Sequence, residues 1–146
     1  MRKILPFLIL LLVFLFFAVP TTYAQYHARL RVIQASNVGS SIDPALRDVH
    51  GKLGSLFSFT SYRLLRDQDL TLSIAQSATV QVHPEVFIEI TCLGYQRGTA
   101  ELKVRVNRNK SDILNTQVKL SSGGTVLIGG TRHREGVVIY ALSARF

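Results

Sequence analysis

Residues 101–106 alternate without interruption: Leu102, Val104 and Val106 are apolar, while Glu101, Lys103 and Arg105 are charged. Side chains of a strand point to opposite faces in turn, so this pattern predicts a strand with one dry face and one wet face. Antiparallel sheets permit that asymmetry. The same period recurs in 26–35, where Tyr26, Ala28, Leu30 and Val32 oppose His27, Arg29 and Arg31. It recurs again in 86–93, where Val86, Ile88, Ile90 and Cys92 share a face. Short extended segments are predicted at 57–65, 70–75 and 79–83, and longer ones at 113–120, 125–129 and 137–145. Glycine, asparagine, serine and aspartate separate the later strands at 94–98, 107–112, 121–124 and 129–136. Short strands punctuated in this way predict a mainly-β or α+β domain, an antiparallel sandwich or meander.

One segment changes period. Leu46, Val49, Leu53 and Leu56 fall at intervals of three and four, which is one face of a helix over 43–57. Asp43 suits the N-cap, and Pro44 suits the first helical position, where a missing N–H costs nothing. Gly51 and Gly54 each weaken an isolated helix by about 1 kcal/mol relative to alanine, so docking on the sheet must hold it. The predicted core comprises this stripe, Ile88, Ile90, Leu102, Val104, Val106, Val126, Ile128, Ile139 and Leu142.

The chain opens with Arg2 and Lys3, runs apolar over 4–19 apart from Pro6, and continues through Thr22 and Ala24 to Gln25. A basic start, an apolar run and small residues three and one before a cut predict a secretory signal over 1–24, cleaved between Ala24 and Gln25. The apolar run is shorter than the roughly 20 residues that span a bilayer. No cysteine follows it, so lipid attachment at a new N-terminal cysteine is not expected. Residues 25–146 then form one domain in the periplasm or outside the cell, large enough for its own core. Loss of Arg2 and Lys3 lowers the formal charge from +8 to +6. That basic balance suits anionic surfaces. Cys92 is the only cysteine, so no intrachain disulfide forms and burial must stabilise the domain. On its apolar strand face the thiol reads as a small core residue.

Catalytic motifs are not evident. His27, His50, His83 and His133 lack short metal-ligand spacing with one another or with Cys92. There is no Gly-x-Ser-x-Gly elbow, and Asp48 and His50, two apart on a helix, point in different directions. Glycines 123–124 and 129–130 lack the lysine and following helix of a phosphate loop. No enzymatic activity, cofactor or metal is expected, although a hydrolase site assembled from separate strands is an alternative. Basic residues stand out more. Arg105, Arg108 and Lys110 surround one turn; Arg132, His133 and Arg134 occupy another. If the last five strands run as a meander, successive turns alternate between ends, and both clusters share one rim. Asp112 and Glu135 offset part of that charge. Such a rim suits a carboxylate- or phosphate-bearing partner, such as an envelope protein, an anionic glycan or a lipid surface. Nucleic acid is not expected, because the clusters lack interleaved aromatic residues for base stacking.

Three local resemblances bear on this reading. The blocks FSFTSYRLL and SSGGTVLIGG resemble a pattern in small secreted bacterial proteins. The stretch NTQVKLSSGGTVLIGG is similar to the strand–glycine turn–strand element of bacterial secretins, and it implies hairpin geometry without the long channel-forming region. The alternation of Val138, Tyr140, Leu142, Ala144 and terminal Phe146 resembles the C-terminal targeting strand of outer-membrane barrels, departing from it at Ala144. The functional expectation is therefore a non-enzymatic exported binding or assembly module of the bacterial envelope. A small outer-membrane barrel or a secretion-channel accessory protein is the alternative. An intact-mass measurement on protein recovered from the host envelope should give a chain starting at Gln25; retention of residues 1–24 would replace the exported domain with an anchored one.

Overall fold

The computed structural model describes residues 4–16, 24–134 and 136–146. Helix α1, Leu5–Phe16, lies within the expected signal and carries only apolar residues and one proline. Thr22, one of the two small residues of the expected cleavage site, falls outside the described residues. Among those described, no helix is long and apolar enough to cross a membrane.

Eight antiparallel strands follow: β1 (Gln25–Ser36), β2 (Ser61–Ser73), β3 (Ser77–His83), β4 (Val86–Gln96), β5 (Thr99–Arg108), β6 (Ser111–Ser121), β7 (Thr125–His133) and β8 (Gly136–Ala144). They form two four-stranded sheets of order β2-β1-β8-β7 and β3-β4-β5-β6. Ala28, Leu30 and Val32 of β1 and Val138, Tyr140 and Leu142 of β8 face the other sheet. There they meet Ile88, Ile90 and Cys92 of β4 and Leu102, Val104 and Val106 of β5, giving the mainly-β sandwich that the alternation predicts. Burial raises the Cys92 thiol pKa. Tyr140 is also fully buried there, and its hydroxyl pairs with Thr131 Oγ1 at 3.1 Å. The alternating set of the last strand is thus directed into the inter-sheet core.

Connectivity departs from the expected five-strand meander. β3 to β6 form a meander, but the chain then leaves that sheet through the turn at 121–124, and β7 and β8 join β1 in the other. Residues 57–65 and 70–75 are not separate segments either. Residues 61–65 and 70–73 both belong to β2, which follows β1 along its whole length and absorbs one extra residue at a bulge opposite Val32 and Ile33.

β1 and β8 are also apolar on the face turned away from the sandwich. Ile33 and Ala35 of β1 and Ile139 and Ala141 of β8 pack with Tyr62 of β2 against Leu46, Val49 and Leu53. The predicted helix therefore supplies a third layer, but in two pieces. A 3-10 turn at Pro44–Leu46, capped by Asp43 Oδ1 accepting from Ala45 N at 3.0 Å, is followed by α2, His50–Leu56. The break between them places Leu56 off the buried stripe, and it is 61% exposed rather than core.

Arg31 projects from β1 under this helical layer and is only 1% exposed. Its Nη1 donates to Asp48 Oδ1 at 2.8 Å, while Nε is buried without a hydrogen-bond partner. A guanidinium cannot shed its charge in a protein, so the fold must bring a carboxylate to it. The far end of the sandwich is closed differently. Tyr26 stacks on Tyr95 with ring centroids 4.7 Å apart, and Phe146 meets both edge-on. Ser122 Oγ donates to the Phe146 carbonyl, which ties down the chain end.

Two stability predictions follow from these layers. Asp48→Asn leaves Arg31 unpaired and should lower unfolding free energy by about 2 kcal/mol, less than the loss of a wholly buried partner because Asp48 is itself 59% exposed. Arg31 holds the Asp48 carboxyl below its ordinary range. Stability from such a depressed carboxyl is present above the unfolded value, near about 4, and is lost as pH falls through the lower folded value. The gap between wild type and variant in urea unfolding should therefore close in acid. Glycine-to-alanine changes should split in sign. A Cβ at Gly136 would overlap the Ala35 carbonyl oxygen across the β1–β8 pair, whereas one at Gly51 in α2 meets nothing within 4 Å. Gly136→Ala should cost about 3 kcal/mol, and Gly51→Ala should stabilise by up to about 1 kcal/mol; thermal melts read both.

Candidate arginine cleft

Hairpin parity builds the site. Turns β3–β4, β5–β6 and β7–β8 lie at one end of the sandwich, and β4–β5 lies at the other. At the β5–β6 turn, Asn109 and Lys110 both take positive φ, 51° and 65°. This is the two-residue geometry whose twist matches the flanking strands, so Arg108 and Ser111 stay paired up to the turn. Asn109 N donates to Glu85 O at 3.2 Å, pinning this turn to the β3–β4 turn beside it. Asn109 Nδ2 also reaches Glu85 Oε2, at 3.4 Å. From the other sheet comes the β7–β8 turn. Arg108 Nη2 donates to the Arg132 carbonyl at 3.0 Å, so the two basic clusters meet across the sandwich.

The result is a cleft of about 550 Å³ whose charged and titratable lining is His83, Glu85, Arg108, Arg132 and Arg134. His83, the last residue of β3, is half-buried there. Burial lowers its pKa, and the positive charges of Arg134 and Arg108 lower it further. The neutral imidazole is therefore favoured near neutral pH, and an anion entering the cleft would raise its basicity by offsetting those charges.

The residues singled out in the sequence divide. Arg108, Arg132 and Arg134 line the cleft. Arg105 does not: it projects from the wet face of β5, with Nη2 at 3.1 Å from Asp112 Oδ1 and Nη1 at 3.8 Å from Glu89 Oε1. Arg105 holds the Asp112 carboxyl below its ordinary range. Lys110 is exposed at the tip of its turn, outside the cleft lining. His133 ends β7 opposite Gly136, but its side chain and Glu135 lie outside the described residues. His83 and Glu85 are additional. The same parity argument, extended back by one hairpin, would have placed them at this end.

Arrangement and charge suit the capture of an anion. Guanidinium groups bind phosphate, sulfate or carboxylate through paired, charge-assisted hydrogen bonds. Among the described residues, no cluster of three or more histidine, cysteine, aspartate or glutamate side chains could hold a metal ion. No family model, curated protein or solved structure matches the chain.

Proposed function

We propose that this protein is a non-enzymatic, exported binding or assembly module of the bacterial cell envelope that holds an anionic partner in the arginine cleft. The pairing of its arginines carries this reading. Arg29, Arg31, Arg105 and Arg145 each have a carboxylate within ion-pairing distance. Arg47, Arg63, Arg66, Arg97, Arg108, Arg132 and Arg134 have none among the described residues, and of these Arg108, Arg132 and Arg134 converge on one cleft. Three converging cations outnumber the single Glu85 carboxylate of the cleft, which is beyond ion-pairing distance of them, and an external anion relieves their mutual repulsion.

Export is supported by the apolar helix α1 behind Arg2 and Lys3, and by the start of β1 at Gln25. A cut before Gln25 leaves all eight strands whole. The cleft's composition favours binding over catalysis. It has an imidazole and a carboxylate, but no serine, threonine or cysteine in its lining. Cys92, the sole thiol, is buried in the inter-sheet core. An envelope protein, an acidic glycan or a lipid headgroup would present suitable charge.

Calorimetric titration with glucose 6-phosphate tests the cleft. Joint Arg108→Gln and Arg132→Gln substitution should weaken binding tenfold or more, the equivalent of about 1.4 kcal/mol, while Arg105→Gln leaves it within twofold. With glucose 6-sulfate, whose charge is constant over this range, affinity should rise between pH 7.5 and pH 5.5, because the bound anion favours protonated His83 and binding takes up a proton. Equal weakening by the cleft and Arg105 variants would reduce the site to diffuse surface charge.

A further inference from the structure

A second depression adjoins the cleft at Arg134. β1 pairs with β2 and β8, and the register sets Ser36 beside Ser61 on one side and Gly136 on the other. Two pairs inward, on the same face, Gln34 lies opposite Arg63. Gln34, Ser36, Val38, Ser61, Arg63 and Arg134 line a hollow of about 420 Å³. Arg134 also lines the cleft, so the two share a wall. Each is within the usual size of a small-molecule site, about 300–1,000 Å³.

The new hollow differs chemically from the cleft. Two serine hydroxyls and one amide supply neutral donors and acceptors, and Val38 is its only apolar side chain. Arg63 Nη2 donates to Gln34 Oε1 at 2.8 Å, so a neutral amide fixes the guanidinium without cancelling its charge. No carboxylate of the described residues lies within ion-pairing distance of Arg63. Along this end of the sandwich the surface therefore reads cationic, neutral-polar, cationic. A folded protein partner would seek aromatic or aliphatic anchor pockets, and single-stranded nucleic acid would seek aromatic platforms. The linings of cleft and hollow contain no Phe, Tyr or Trp, and their only aliphatic members are Val38, Pro84 and Val86. Hydroxyl-rich ligands with separated charges fit the sequence of groups better.

Resting on the anion-binding reading above, we propose that cleft and hollow form one extended site for an acidic saccharide with two anionic groups. Arg108 and Arg132 take the first group. Arg63 takes the second, and Ser36, Ser61 and Gln34 hydrogen-bond sugar hydroxyls between the two.

The test compares glucose, glucose 6-phosphate and glucose 1,6-bisphosphate by calorimetry on the protein purified from its host. The bisphosphate should bind at least tenfold more tightly than the monophosphate, and glucose should give no measurable heat. Arg63→Gln should remove that gain while leaving monophosphate affinity within twofold. Arg66→Gln, an exposed arginine of β2 outside both linings, should preserve the gain and so separates a built subsite from general charge. Amide shifts at Ser36 and Ser61 should respond to the bisphosphate in the wild type and lose that response in Arg63→Gln. Equal affinity for the two phosphates, or equal effects of Arg63→Gln and Arg66→Gln, overturns the extended site while leaving anion capture in the cleft standing. Failure of both phosphates to bind overturns both.

Discussion

Burial of β1 and β8 on both faces is the constraint on which the rest of the structure depends. A central strand of an antiparallel sandwich ordinarily has one face in the core and one in water. Here Leu30 and Val32 point into the sandwich, while Ile33 and Ala35 point out of it and are equally dry. Leaving that second face open would expose an apolar strip along two strands. The segment between β1 and β2 covers it, and its helical pieces are held by Leu46, Val49 and Leu53 rather than by intrinsic propensity. Covering the strip also encloses Arg31, which makes Asp48 a structural necessity.

The same two strands determine the arrangement of the basic end. By carrying β7 and β8 into the sheet of β1, the chain places the β7–β8 turn across from β5–β6 rather than beside it in one sheet. Guanidinium groups from opposing layers then face a shared gap. A flat meander would spread the same charges along an edge, where water and salt screen them. A sandwich end partly encloses them.

Much of the architecture is legible in the sequence because strand alternation is a strong signal wherever one face is wet, as at Leu102, Val104 and Val106. Legibility fails where both faces are dry, since period two then disappears: β8 reads Val-Val-Ile-Tyr-Ala-Leu and gives no hint of a third layer beyond. The helix was visible through Leu46, Val49 and Leu53. Its break was not, because the docking surface fixes where the turn must restart. Parity of hairpins placed Arg108 with Arg132, and it survived the wrong meander because sandwich and meander share that parity. Arg105 was misplaced because it lies on the wet face of a strand, where Glu89 and Asp112 come within reach only once the register is set. Arg63 and Ser36 were out of view because they belong to another sheet's register.

The aromatic knot at the opposite end gives the molecule a natural optical probe. The chain has five tyrosines and no tryptophan. Tyr26 and Tyr95, from different sheets, stack at 4.7 Å. Rings that close, in a fixed asymmetric setting, couple their transitions, so near-ultraviolet circular dichroism of this protein reports whether the two sheets are joined. The reporter sits away from the arginines, and saccharide phosphates do not absorb at its wavelengths. Loss of that coupled signal therefore marks separation of the two sheets at this end, without a label.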